Sequence, residues 1–367
     1  MLDRYVHGGD LYSLAEELNI SENLILDFSS SINPFGVSKK VKRAIIRGID
    51  SIKNYPDPKV RKLTEILAER INVEKSSIIC GNGATELIYL TIRALKPDIL
   101  ITLSPSFVEY ERAFLIFNDW KDKNIHYFNL KEENLFQVCV AEFIQFLRRV
   151  RKNSENAKIV GFLCNPNNPT GTYIDRERLI EISEEARKLN IYMIVDESFL
   201  EFIPQLSLAD ITQKNPYVGV ISSMTKFYAL PGLRIGYGVF NPSLAISLQK
   251  YKEPWSVNAL AQIAACEALT DHTYVKLTHS IIYREKKWLE RHFRRLNIKF
   301  FASATNFYLL KHSKAQEIIR ILRQRGILLR DCSNFRGLGK EFFRVAVKKR
   351  KENKILIKEL SNICQQY

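Results

Sequence analysis

Between residues 77 and 221 one unit recurs: a short run that is apolar throughout, then a longer run whose apolar residues fall at helical spacing. The apolar runs are Ser77 to Cys80, Ile99 to Leu103, Ile159 to Cys164, Ile191 to Val195 and Tyr217 to Ile221. The amphipathic ones include Ala84 to Leu95, Ala141 to Lys152 and Asp175 to Leu189; the second sets Phe143, Leu147 and Val150 on one face. Parallel neighbours need a crossover long enough to bring the chain back, and a helix is the usual one. Strands covered by helices on both faces lose polar alternation, as Ile-Val-Gly-Phe-Leu-Cys and Ile-Tyr-Met-Ile-Val do. The repeat predicts an α/β fold with a mostly parallel central sheet flanked by helices.

The pattern changes near Trp255. One long helical stretch is expected from Ala259 to Leu296, with a basic amphipathic segment from Tyr283 to Arg295. Strand-like runs follow at Lys299 to Ala302, Asn306 to Leu310, Ile327 to Arg330 and Phe342 to Val347, with a helix ending near Gly326 and another at the end. That order suggests a smaller α+β domain. A chain of 367 residues also exceeds what one core usually organises. The expected division is a large domain over residues 40–255 and a small one formed by 1–39 with 256–367. The turn chemistry of Gly8-Gly9 and Asn33-Pro34 belongs to the small domain's N-terminal arm.

Lys plus Arg outnumber Asp plus Glu by 55 to 40, a net charge of +15. The basic residues are spread along the chain, and the dense run is only Lys348-Lys349-Arg350-Lys351, so no nucleic-acid partner is expected. The excess suits an anionic substrate or an ordinary basic surface. Six cysteines stand far apart without a C-x-x-C pair, which argues against a metal cluster or disulfide framework. No metal is expected. The opening residues lack the apolar core of a signal peptide, and no unbroken apolar run is long enough to span a membrane. A cytoplasmic protein without membrane contact is expected.

In open parallel sheets the ligand crevice lies outside the carboxyl ends of the strands. Four segments fall there: Gly81-Asn82-Gly83-Ala84-Thr85, Asn165-Pro-Asn-Asn-Pro-Thr-Gly171, Asp196-Glu197, and Ser222 to Arg234. A strand, two glycines and a helix start offer free N–H groups to a phosphate; the plainer reading is a tight turn. Asp196 follows a buried strand, where a carboxylate wants a cation; it could equally cap a helix. Lys226 lies near Ser223 and Thr225, eight residues before Arg234. In apolar surroundings beside a cation its amine could form a Schiff base, whereas a lysine standing alone would be surface.

In this order and spacing the four segments resemble the fold-type I, class I/II aminotransferase family of pyridoxal-phosphate (PLP) enzymes, over nearly the whole chain. The resemblance implies that Lys226 carries PLP covalently and that Asp196 pairs with its ring nitrogen. It places Asn168 on the ring 3′ oxygen, and Ala84, Thr85, Ser223 and Arg234 on the phosphate. Phe107, in Ser-Pro-Ser-Phe-Val-Glu-Tyr, would stack on the ring. Tyr55, in Asn-Tyr-Pro-Asp-Pro, resembles the tyrosine that reaches a neighbouring subunit's phosphate, implying a homodimer. Arg344, in Phe-Phe-Arg-Val-Ala-Val, resembles the arginine that forks onto a substrate carboxylate.

Within the family, three stretches resemble the threonine-phosphate decarboxylase branch of cobalamin biosynthesis. They are His7-Gly8-Gly9 with Leu26-Asp-Phe-Ser and Ile32-Asn-Pro-Phe-Gly36, then Glu253 to Ala261, then Arg330-Asp-Cys-Ser-Asn-Phe-Arg-Gly-Leu338. The branch implies His7, Gly8, Ser31, Asn168, Arg330 and Arg344 around a phosphorylated amino acid. Loss of carbon dioxide from L-threonine O-3-phosphate is the expected reaction; transamination of histidinol phosphate is the alternative. Phe199 stands where the aminotransferases carry Tyr, removing one hydroxyl from the 3′ oxygen. Ser31 stands where the decarboxylases carry Asn, so a single hydroxyl replaces an amide.

Overall fold

The computed structural model describes residues 6–120, 124–203 and 207–364. Thirteen strands are, in chain order, β1 (Leu26–Asp27), β2 (Ile78–Gly81), β3 (Ile99–Ser104), β4 (Ile125–Asn129), β5 (Ile159–Cys164), β6 (Ile191–Asp196), β7 (Val218–Ser223), β8 (Gly236–Phe240), β9 (Lys299–Phe300), β10 (Phe307–Lys311), β11 (Ile327–Leu328), β12 (Arg330–Asp331) and β13 (Phe342–Ala346). Seven form the central sheet in the order β2-β8-β7-β6-β5-β3-β4. Its pairs are parallel except those of β8, which runs antiparallel to both β2 and β7.

Alternation explains why the inner strands β5 and β6 are largely apolar. Ile159 and Leu163 of β5, with Met193 and Val195 of β6, enter one core with Phe143, Leu147, Leu179 and Ile182 of the helices Val140–Lys152 and Arg176–Lys188. Val160, Phe162 and Ile194 point the other way, onto Leu87, Ile88 and Phe114 of the helices Ala84–Leu95 and Glu109–Phe117. Burying each such side chain contributes about 1.5–3 kcal/mol, so a polar residue on either face would be costly. Every parallel strand therefore ends its apolar run at one rim of the sheet, where polar residues first become tolerable.

Past this sheet the expected single helix from Ala259 to Leu296 is two, Ala259–Leu269 and His272–Arg295. The break is chemical: Asp271 caps the second helix by accepting from Tyr274 N at 3.1 Å, and Thr270 Oγ1 donates back to Glu267 O at 3.1 Å. The expected strand Ile327 to Arg330 is also split. β11 pairs in parallel with β1, whereas β12 pairs with β13 in an antiparallel sheet ordered β12-β13-β10-β9. Leu329 is where the chain passes from one sheet to the other. Through β1 the N-terminal residues join this part of the molecule, and Phe28 N donates to Leu328 O at 2.8 Å. Among the described residues no helix is long and apolar enough to cross a membrane.

Candidate active site

The rim of the central sheet, the N-terminal residues 7–31 and the β12–β13 pair enclose a cavity of about 410 Å³. His7, Gly8, Ser31, Ala84, Thr85, Phe107, Asn168, Asp196, Ser223, Lys226, Arg234, Arg330 and Arg344 all line it. Tyr55 does not: it is 81% exposed on the outer surface, its ring 4.7 Å from that of Trp255.

Asp196 ends β6 and is 3% exposed. Tyr110 Oη donates to its Oδ2 at 2.7 Å and Ser198 N to its Oδ1 at 2.9 Å. Burial nevertheless lifts its carboxyl above the ordinary range, against these hydrogen bonds and the field of Lys226. No cation forms an ion pair with it among the described residues. An anion so placed calls for a cationic ligand.

Lys226 lies just after β7, its carbonyl held by Asn33 N at 3.0 Å. Burial and then the positive fields of Arg344 and Arg234 draw its amine down to about 8, with Asp27 and Asp196 opposing. Among the described residues the amine has no hydrogen-bond acceptor. It is a nucleophile at mildly alkaline pH.

At the glycine loop, Gly83 has φ +80° and caps the helix Ala84–Leu95 without any side-chain bond to the first N–H groups. A Cβ there would meet Arg234 Nη2 at 2.5 Å, so glycine is required for the guanidinium to lie over the loop. Arg234 has no carboxylate partner among the described residues. Ser223 Oγ and Thr225 Oγ1, which line the same cavity, sit 2.7 Å apart. Free helix N–H groups, a guanidinium and two hydroxyls make an anion cradle.

β12 and β13 contribute the most unusual feature. Arg330 and Arg344 are cross-strand partners, each 7% exposed. Arg344 donates to Asn168 Oδ1 and, at 2.8 Å, to Ser29 O, while its buried Nε has no partner among the described residues. Arg330 donates to Asp331 O, to Val6 O at 2.8 Å and to Asn334 Oδ1 at 2.8 Å. Neither meets a carboxylate among the described residues, and burial lowers both, Arg344 to about 10. Two like charges facing each other under cover are destabilising until an anion lies between or beside them. Ser31 Oγ is likewise buried without a partner among the described residues.

Several functional neighbours gave little signal in the sequence. Tyr110 was visible only as the last residue of the Phe107 motif. Glu109 is 4% exposed and accepts from His7 Nε2 and Tyr89 Oη, each at 2.8 Å. These partners are 102 and 20 residues away, beyond any local pattern. Phe199 packs edge-on to Phe307 at 5.1 Å, and Arg344 lies over the same Phe307 ring at 4.8 Å. It thus supports the arginine through an aromatic stack.

The arrangement fits PLP. The loop, Ser223 and Arg234 could hold its phosphate, Phe107 could lie on the ring, Asp196 could meet the ring nitrogen, and Lys226 could bond its aldehyde. A family model for aminotransferase class I and II matches residues 23–360. The threonine-phosphate decarboxylase of Salmonella typhimurium is 35% identical over 97% of this chain and 96% of its own. The histidinol-phosphate aminotransferase of Methanosphaera stadtmanae is 30% identical over 98% of this chain and 96% of its own. The solved histidinol-phosphate aminotransferase of Clostridium acetobutylicum superposes with a TM-score of 0.84 at 28% identity, covering 94% of this chain and all of that one. With one cavity gathering the lysine, the acid and the anion cradle, and a family match that runs through all three, this chain belongs to the aminotransferase class I and II family and uses PLP.

Proposed function

We propose that this protein decarboxylates L-threonine O-3-phosphate to (R)-1-amino-2-propanol O-2-phosphate. The Cα–carboxylate bond breaks, carbon dioxide leaves, the electron pair stays at Cα and a proton takes the vacated position. PLP supplies the electron sink for that pair. How the substrate's other groups are anchored would decide which bond at Cα is exposed to that sink, so anchoring selects the reaction.

The observation that carries this reading is the buried Arg330–Arg344 pair, which meets no carboxylate among the described residues. L-threonine O-3-phosphate brings a carboxylate and a phosphate on one small molecule; histidinol phosphate brings a phosphate alone. His7, the Gly8 backbone, Ser31 and Asn168 complete the anchoring in our reading. Lys226 Nζ, drawn to about 8, can hold and release a proton near neutral pH. The 35% identity to a decarboxylase against 30% to an aminotransferase supports the same choice. In the assay, protein with PLP and O-phospho-L-threonine is expected to release carbon dioxide with no keto acid added or formed. Turnover of histidinol phosphate that depends on 2-oxoglutarate, with no carbon dioxide from phosphothreonine, would establish the transaminase instead.

We further propose a homodimer in which Tyr55 reaches the partner's site, with the reaction in the cytosol, where free cysteines persist. Support comes from exposed apolar side chains: Tyr55 packs against the half-exposed Trp255, and Ile46 and Ile52 are 70% and 64% exposed. Light scattering is expected to give twice the 42.6 kDa chain mass. A stable monomer that retains full activity would reject the shared site.

A further inference from the structure

We infer that Glu109 is a positioning residue: it fixes the His7 imidazole by its Nε2 so that Nδ1 is left to the phosphate of the substrate. The inference rests on the proposed substrate class and extends it to a residue that itself need not touch substrate. His7 Nε2 lies 2.8 Å from Glu109 Oε1, and among the described residues no group bonds His7 Nδ1. The ring lines the cavity with its side chain 45% exposed, 5.8 Å from Phe107.

Glu109 is the opposite of an exposed tether. It is buried at the first residue of the helix Glu109–Phe117, with Tyr89 Oη on Oε2 at 2.8 Å and Arg112 Nη1 at 3.5 Å from Oε1. These partners and His7 hold it below the usual carboxylate range despite burial. An ionised, fully oriented carboxylate accepts from His7 Nε2–H and fixes the plane of the ring; with both ring nitrogens protonated between the carboxylate and a phosphate, Nδ1–H donates to a phosphate oxygen. The backbone reinforces this. Val6 O accepts from Arg330 Nη2 at 2.8 Å, and Gly8 approaches Ser29 so closely that a Cβ would stand 2.5 Å from its carbonyl oxygen. The residues on either side of His7 are thus bound to the arginine-bearing strand and to the cavity wall. Glu109 decides where the imidazole between them points.

The test is a double-mutant cycle on the holoenzyme, reading ligand affinity from the change in the visible spectrum of bound PLP. Glu109→Leu is expected to weaken O-phospho-L-threonine about ten- to a hundredfold, the worth of a hydrogen bond to a charged group, and L-threonine less than twofold. KM should rise with little change in kcat, and Glu109→Gln should restore most of the affinity. In a His7→Ala background, Glu109→Leu should have no further effect. Equal loss for both ligands, or an undiminished effect without His7, would overturn the inference. Should the wild type bind histidinol phosphate and not phosphothreonine, the substrate reading fails and the same cycle on histidinol phosphate decides this one. Binding of neither phosphomonoester overturns both.

Discussion

Lys226→Ala is expected to leave a folded protein that retains no covalent PLP and turns over at least about 10³-fold more slowly. After borohydride treatment the wild type should carry a phosphopyridoxyl group on Lys226, and the variant none. The side chain is partly buried and makes no hydrogen bond among the described residues, so its removal costs little packing and leaves no partner stranded. The chemistry is also pH-dependent in a definite direction. The amine is nucleophilic only when deprotonated, and it is held at about 8 by burial and by Arg344 and Arg234. Capture of PLP by the apoprotein should therefore quicken about tenfold per unit as pH rises toward 8 and level off above it. Retained PLP in Lys226→Ala after reduction, or a capture rate flat from pH 6 to 9, would contradict the assignment.

The same site shows why some of this molecule is readable in its residues and some is not. β5 is Ile159–Cys164, as its unbroken apolar run predicts, because a strand buried on both faces admits no polar residue until it reaches the rim. That rule also places Asp196 and Lys226 at the crevice, since each is the first charged residue past such a run. β4 (Ile-His-Tyr-Phe-Asn) was not foreseen: it is an edge strand with partly exposed residues and lacks the signature of a covered strand. β8 (Gly-Tyr-Gly-Val-Phe) was missed for a different reason. Two glycines depress strand propensity, yet a Cβ at Gly236 would stand 2.6 Å from Ala84 N, at the start of the helix Ala84–Leu95. Long-range partnerships such as Arg330 with Arg344 or Tyr110 with Asp196 come only with the folded chain, because strand register and helix docking create them. Motif resemblance could name Arg330 and Arg344 one at a time. It could not show that they face each other with no acid between them among the described residues.

Asp196→Asn separates what the acid does for chemistry from what it does to the fold, and the two are expected to move in opposite directions. The amide is isosteric and can keep both neighbours, with Oδ1 accepting from Ser198 N and Nδ2 donating to Tyr110 Oη. What disappears is the negative charge proposed to face the ring nitrogen. Breaking a buried charge pair by removing one member costs about 3–5 kcal/mol, so activity should fall roughly 10²- to 10³-fold or more even when PLP remains attached. In the apoprotein that charge is a burden. Its folded-state pKa is raised by burial, so the stability it contributes is fully present below its unfolded value near 3.9 and is lost as pH rises through the folded value. At neutral pH the wild-type apoprotein therefore carries a penalty that asparagine does not. The apo variant should melt at a higher temperature than the apo wild type, by a margin that grows as pH rises from about 4. In the holoenzyme that gain should shrink or reverse, because PLP then provides the cation. A variant equally active, or one destabilised with and without PLP alike, would mean that the carboxylate serves only to hold Tyr110 and Ser198 in place.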